Sequence, residues 1–225
     1  MSALTDAQIR RQAQIRGVTV AAIQKAWDSL PGYDKSNVAE FLDLAVPLVT
    51  AAQRNAASVT NAYVGRVSGN GPSKLALSAV TGAAVRKGTS PKDVYRRPFV
   101  DVWSALKRGD AYELAVAAGR ARAAGSAAMD VQLAQRATLG AVSDAQRIRG
   151  YQRVADAGAC TYCQAIDGAF VKSADAMALH NGCGCTLEPL FYDVAASPLP
   201  DDVAVNDHGE LGPMLGSPDQ NFTQL

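Results

Sequence analysis

The chain has 225 residues, of which 48% are hydrophobic, and its 22 basic and 21 acidic side chains leave a formal net charge of +1. That apolar content excludes disorder throughout and allows a buried core, in one large domain or two smaller ones. The near-neutral charge excludes a global attraction to nucleic acid or membranes, so any nucleic-acid contact would have to be local. No stretch approaches the roughly 20 apolar residues that span a bilayer, and the N-terminus lacks the pattern of a signal peptide. We therefore expect synthesis in a cytoplasm and no membrane partner.

Helical spacing of apolar residues dominates the first part of the chain. A helical hairpin is predicted to begin at Thr5 and to stop at Pro31–Gly32. A long helix is predicted from Asn37, because Asn37 and Glu40 have the spacing of a capping box. Pro47 lacks the backbone donor that a helix interior requires, so we expect it to kink or divide this helix.

A break and two more helical regions follow. Residues 68–73 contain glycines and a proline and predict an exposed loop. Residues 90–93 place a capping serine before a proline and an acid, which predicts a new helix. The Ala-rich segment 110–148 has apolar residues spaced for helix packing. Its glycines favour two helices, or a bent one, over a single straight helix.

The periodicity changes after this helical region. Residues 151–155 alternate between two faces and predict a short strand, and residues 168–172 predict a second one. Beyond Phe191 the sequence is rich in Pro, Asp and Gly and has little periodicity, so it has no obvious core of its own.

All four cysteines fall within residues 160–185, together with one of the two histidines. A C-x2-C pair is followed by an H-x2-C-x-C cluster. A reducing compartment disfavours lasting disulfides, whereas two short ligand clusters across a hairpin can complete a tetrahedral zinc site. The candidate ligands are Cys160, Cys163, His180, Cys183 and Cys185.

Five candidates exceed the four positions of a structural zinc site, and the sequence leaves open which one stays outside. We predict a structural zinc, because so many soft ligands leave no open position for a reactive water. These residues are therefore predicted as ligands and not as catalysts. Two alternatives stay open: buried cysteines without a metal, and disulfides formed after release from the cell.

These patterns together predict a mainly α fold in three parts. The parts are an N-terminal helical region (1–148), a small zinc-knuckle-like α+β module (149–192) and an extended C-terminal tail (193–225). The tail is expected to become ordered only against a partner.

The motif that links the first predicted strand to the cysteines resembles a known family. Its residues are Gly150–Val154, the pair Cys160-x-x-Cys163 and the cluster His180-x-x-Cys183-x-Cys185. This pattern is similar to the C-terminal part of MuF-like minor head proteins of tailed bacteriophages. The resemblance covers about residues 143–192; upstream, only the Ala-rich helical character is similar.

The resemblance implies a virion protein that lies inside the capsid near the portal vertex, and in the host cytoplasm during assembly. The implied roles are head assembly, DNA packaging or DNA ejection. The implied partners are the phage portal protein, the major capsid protein or both, together with packaged DNA, and several copies per particle are expected.

Similar phage proteins are also described as capsid maturation proteases, which gives a first alternative. A serine protease needs a base beside its nucleophile. The sequence offers only His180, which is assigned to the metal site, and His208, which lies in a polar segment. Ser143, Ser173 and Ser197 stand in no recognisable nucleophile turn. We therefore favour a non-enzymatic role.

A zinc-dependent nucleic-acid-binding module is a second alternative. It would use the basic pairs 10–11, 96–97 and 107–108, with Arg120 and Arg122 nearby. Such modules normally show a denser basic stripe with aromatic platforms. These side chains are therefore expected on solvated helix faces or against an acidic partner.

Overall fold

A computed structural model describes residues 2–156, 158–177 and 184–192. Over this part the chain is mainly α-helical with a small antiparallel sheet, so the prediction of a mainly α fold is confirmed. The elements are α1 (Ala3–Asp28), α2 (Asn37–Ser68), α3 (Pro91–Lys107), α4 (Tyr112–Val142), β1 (Ile148–Val154), α5 (Thr161–Ala165), β2 (Phe170–Val171) and β3 (Thr186–Phe191). The predicted tail, 193–225, lies outside the described residues.

Helix α1 is one continuous helix, so the predicted hairpin is wrong. It begins after Ser2, whose Oγ accepts a hydrogen bond from the Thr5 N–H at 3.1 Å. Gly17, near its middle, has open space around it and costs only backbone entropy there. Packing against α2 and α4 along the whole length stabilises the uninterrupted helix.

Helix α2 is also continuous, although it contains Pro47. Buried residues on both sides of that proline, Ala45 and Val49, hold the helix against the core while Pro47 itself is exposed. The predicted capping box at Asn37 is absent. Instead, the Asp34 carboxylate accepts from the Asn37 side-chain amide at 2.9 Å and from the Ser36 N–H at 2.8 Å, which fixes the turn before the helix.

The segment between α2 and α3 has no long helix or strand. Helix α2 ends at Ser68 and is capped by Gly69, which has a left-handed backbone with φ of +75°; residues 69–73 follow without helix or strand. Helix α3 begins as predicted, because Ser90 Oγ accepts from the Asp93 N–H at 3.1 Å and a proline occupies the first turn. Pro98, inside α3, does not break it.

Helix α4 is a single helix. Of the two predicted alternatives, a division into two helices is therefore wrong. Gly119 is required by packing: a methyl group there would lie 2.7 Å from Trp27 and from Val102. The glycine lets three helices approach closely, which outweighs its low helix propensity. Gly125 has no such neighbour.

The helices form a bundle in which α1, α2 and α4 pack against one another and α3 packs on α4 and α2. The end of the bundle away from the sheet, called the distal end below, contains an aromatic core. This aromatic core consists of Trp27, Phe41 and Phe99, all fully buried. A smaller cluster around Ile15 and Val131 lies midway. None of the helices in the described part of the chain is both long and apolar enough to cross a membrane.

The sheet rests on the other end of the bundle, in the order β2-β1-β3 with both pairings antiparallel. Tyr151 is buried in β1 and donates from its hydroxyl to the Leu139 carbonyl of α4 at 2.8 Å. Thr5 of α1 donates to Glu188 of β3 at 2.8 Å. One hydrophobic cluster includes residues of α2, α4 and all three strands, so the sheet uses the helix ends as part of its core.

Candidate functional site

The candidate site lies where β1, α5 and the start of β3 meet. The Gly168 N–H donates to the Arg153 carbonyl at 2.9 Å, and the Arg153 N–H donates to the Ala169 carbonyl at 2.8 Å. Gly168 has φ of +79°, which glycine adopts without strain. These bonds fold the turn after α5 back onto β1. The pairing of β3 with β1 then brings Cys185, which directly precedes β3, to the end of β1.

Two of the predicted ligands, Cys163 and Cys185, contact the Arg153 side chain, and a third, Cys160, contacts Cys163. Cys163 and Cys185 are buried, whereas Cys160, at the N-cap of α5, is exposed. Arg153 Nη2 donates to Cys163 Sγ at 3.1 Å, and the same guanidinium hydrogen-bonds to Cys185. Cys163 also shares side-chain hydrogen bonds with Cys160 and Cys185. No disulfide joins these three thiols, which form one polar cluster with the guanidinium.

Electrostatics at the cluster oppose a bare set of thiolates. Burial raises the pKa of the Cys163 thiol, the hydrogen bonds with Cys160 and Cys185 raise it further, and Arg153 partly offsets these effects. Burial lowers the pKa of Arg153, but the attraction of Cys185 and Cys163 is stronger and the net direction is upward. The Cys163 thiol is therefore held in its neutral form more strongly than a solvated cysteine, beside the charged Arg153 guanidinium.

The structure brings together Cys160, Cys163 and Cys185, and the other two predicted ligands, His180 and Cys183, lie outside the described residues. Within residues 2–156, 158–177 and 184–192, no group of three or more Cys, His, Asp or Glu side chains has an arrangement that could hold a metal ion. The described part of the predicted zinc knuckle is thus a thiol cluster and not a preformed metal site.

Arg153 is the residue of this site to which sequence reasoning assigned no role. Its side chain is only 2% exposed, although arginine is rarely buried without charged or polar partners. The available signal was its position in the alternation of β1, on the same face as the buried Tyr151. That face points towards the cysteines, since the Arg153 side chain on it donates to Cys163 of α5.

A second contact ties the cysteine site to α1. The Gly184 backbone lies so close to the Asp156 carboxylate that a methyl group at position 184 would collide with it. Arg16 Nη2 of α1 lies 3.8 Å from Asp156 Oδ2. The glycine next to Cys185 is therefore required by this close packing, which fixes the chain on one side of the thiol cluster.

The structure also describes residues on which the two alternative functions, nucleic-acid binding and proteolysis, would depend. Three of the basic side chains pair with acids: Arg120 with Asp28 (2.8 Å), Arg122 with Asp101 (2.9 Å) and Arg108 with Asp110 (2.9 Å). These pairs match the expectation of solvated helix faces. Of the protease candidates, Ser143 ends α4 and Ser173 precedes a 3-10 turn, while Ser197 and both histidines lie outside the described residues.

The comparisons with known proteins add no family. No protein-family model matches the chain, and searches of the curated proteins and of the solved structures find no match.

Proposed function

We propose that this chain is a structural protein of a bacteriophage virion, of the MuF-like minor head type, whose helical bundle docks near the portal vertex on the portal or capsid protein. Its cysteine module, defined as residues 149–192, is proposed to be held together by a structural zinc ion. The proposed roles are head assembly, DNA packaging or DNA ejection, with packaged DNA as a further contact.

One observation carries the proposal. The sequence elements behind the family resemblance lie apart along the chain, yet their described parts form one structural unit. Gly150–Val154 belongs to β1, the C-x-x-C pair spans the start of α5, and Cys185 leads into β3. If the residues of this motif only filled separate parts of the core, their thiols would not need to lie around one buried guanidinium.

The donor set fits zinc in its chemistry. Thiolate sulfur is a soft ligand that zinc prefers in closed structural sites, with bonds of about 2.3 Å. Cys160, Cys163 and Cys185 would supply three ligands, and His180 or Cys183 would supply the fourth. Bound zinc would keep the thiols deprotonated and cross-link three segments. Such a link would add to the core that the module shares with the ends of α2 and α4, because a segment of this size buries little apolar surface by itself.

The metal is tested with the purified chain under reducing conditions. Elemental analysis is expected to find about one zinc per chain, and thiol titration is expected to show thiols that become reactive only after chelation. Metal-free protein with fully reactive thiols would contradict the zinc hypothesis.

Replacement of Cys163 by Ser tests the ligands directly. Cys163→Ser should lose zinc and expose the remaining thiols, while helical circular dichroism stays close to that of the wild type, because the aromatic core of the bundle is untouched. The matched control is Ala165→Ser, which introduces the same side chain at an exposed position of α5. If the double variant C160S/C163S kept wild-type metal content and melting, neither cysteine would be a ligand.

The virion role is tested by stoichiometry. DNA-filled particles are purified on a density gradient from cells that express the chain at its native locus, and quantitative mass spectrometry compares it with the portal protein. A fixed ratio of several chains per particle is expected. A chain found only outside particles, or one that cleaves the purified capsid protein with turnover, would instead favour the protease alternative.

A further inference from the structure

The connection between α2 and α3 lies on the bundle with little apolar contact. It comprises residues 69–90, called the strap below, and contains two short 3-10 turns, Leu77–Ala79 and Ala84–Arg86. Among the residues of the strap, only Val80 and Thr81 are buried. A segment that buries so little apolar surface gains little hydrophobic free energy from lying on the helices, so its attachment depends on polar contacts.

The first part of the strap is held by side-chain amides. Asn61 of α2 donates from Nδ2 to the Ser73 carbonyl at 2.7 Å, and its Oδ1 accepts from the Ser73 N–H at 3.0 Å. Gln146, between α4 and β1, donates from Nε2 to the Gly71 carbonyl at 2.9 Å and to the Ser73 hydroxyl at 2.7 Å. Both amides are buried, so the strap covers polar groups of the bundle.

The second part of the strap is held by one amide and one ion pair. Gln53 Oε1 of α2 accepts from the Gly82 N–H at 2.8 Å. Arg86 donates from Nε to the Asp130 carboxylate of α4 at 2.6 Å and from Nη2 to the Ser126 carbonyl at 3.0 Å. Asp130 is only 2% exposed beneath this arginine. If the strap lifts, both charges gain water, which costs less than leaving one of them buried without its partner.

We propose that the strap is a detachable cover of the bundle, which opens as one unit while the helices stay folded and so uncovers the polar side chains of Gln53, Asn61 and Asp130. Opening exchanges their bonds to the strap for bonds to water, and each such exchange costs little. The inference goes beyond the proposed virion role and needs no metal ion.

The strap has the internal bonds and the ends that such a motion requires. Thr81 Oγ1 donates to the Leu77 carbonyl at 2.8 Å, and the Gly88 N–H donates to the Ala83 carbonyl at 2.9 Å. The two 3-10 turns also contact each other, so they can move together. Gly69 and Gly88, near the two ends, have φ of +75° and +89°, and glycine can absorb the backbone rotations of a hinge without strain.

Native-state hydrogen exchange of the full-length chain, followed by NMR, measures the opening. The amides of Ser73 and Gly82 report on the strap, and those of the buried Val64 and Val131 report on α2 and α4. After correction for intrinsic rates, the strap amides are expected to exchange at least about tenfold faster than the helix amides, and at equal rates to each other. If all four amides shared one opening free energy, the strap would open only on global unfolding and the proposal would fail.

The variant Gly65→Ala tests the opening through sterics. A methyl group at this position of α2 would collide with the backbone of Gly71, whereas alanine favours the helix itself. We expect exchange at both Ser73 and Gly82 to become roughly 10–100-fold faster, with unchanged helical circular dichroism. Gly17→Ala, in α1 with open space around it, is the matched control and should leave the strap amides unaffected. Acceleration at Ser73 alone would show that the strap does not open as one unit.

The variant Arg86→Gln tests the other attachment and decides the question if Gly65→Ala does not fold. Loss of the charged hydrogen bond to Asp130 is expected to accelerate exchange at Ser73 and Gly82 by roughly 10–100-fold. Lys87→Gln removes the neighbouring exposed charge and is expected to have no such effect. Wild-type exchange at both amides in Arg86→Gln would overturn the proposal, because the ion pair would then not hold the strap closed.

Discussion

The two ends of the bundle are stabilised by different chemistry. At the distal end the aromatic core packs three rings with centroid distances of 4.9–5.6 Å, without a buried charge among them. At the opposite end the core of the cysteine module includes two buried thiols and a buried arginine. The comparison teaches that long helices packed on one another can fill a core with apolar side chains alone, whereas the short strands and turns of the module depend on the core that they share with the helix ends.

The largest expected effect comes from the aromatic core. Phe99→Ala should lower the free energy of unfolding by about 3–5 kcal/mol, because it removes a fully buried ring and leaves a cavity. Since the sheet packs on the ends of α2 and α4, we expect the module to unfold together with the bundle. Thermal melting followed by circular dichroism and by thiol reactivity measures both regions.

The control for that variant is Val100→Ala, at the next position of α3, which is 44% exposed and should change stability little. If thiols in Phe99→Ala stayed protected above the temperature at which its helices melt, the module would be independent of the bundle and the comparison would fail.

A smaller effect is expected from close helix packing at Gly119. Gly119→Ala should destabilise the protein by about 1–3 kcal/mol, because the added methyl group collides with Trp27 and Val102. Gly125→Ala, in the same helix with open space around it, should instead stabilise it by about 0.5–1 kcal/mol. Chemical denaturation measures both variants, and stabilisation by Gly119→Ala would show that the distal core is loosely packed.

The smallest expected effect on stability comes from Arg120, a surface arginine paired with Asp28, in contrast to the buried Arg153. Asp28 accepts from Arg120 at 2.8 Å, and this hydrogen bond holds the pKa of the Asp28 carboxyl below its usual range. A depressed folded pKa stabilises the protein above the unfolded pKa, and the contribution is lost as the pH falls through the folded pKa. The pair is solvated, so its contribution is small.

Asp28→Asn should therefore lower the melting temperature only slightly at neutral pH. The difference from the wild type should vanish at high salt and at low pH, where the carboxyl is protonated. Melting curves across pH and salt measure it, and Arg10→Gln, at an exposed position of α1, is the control. A loss as large as that of Phe99→Ala would mean that surface charge, and not the aromatic core, stabilises the distal end.

Sequence reasoning succeeded where the local signal was strong and failed where packing overrode it. The cap at Ser90 and the break after α2 were predictable, because a capping hydroxyl, a proline and glycines act within a few residues. The hairpin in α1 and the division of α4 were predicted incorrectly. Gly17 and Gly119 disfavour helix locally, but neighbouring helices hold each segment in one continuous helix.

The candidate site shows the same division. Its cysteines were predictable from their spacing, β1 from alternation, and β2 as a short second strand, but β3 was missed because its Leu–Glu–Pro sequence has no clear strand pattern. The contact between Gly184 and Asp156 was also unpredictable, since it depends on the register of two strands that are distant in sequence.

The sequence by itself determined that the described part of the chain is mainly helical, that a break follows α2, and that Cys160 and Cys163 lie together, because propensity, turn chemistry and short spacings are local properties. Only the tertiary structure decided that the sheet shares its core with the helix ends and that Arg153 points into the thiol cluster. The physical reason is that burial and charge pairing depend on which distant segments meet, and a single strand pattern does not specify the partner of its inward face.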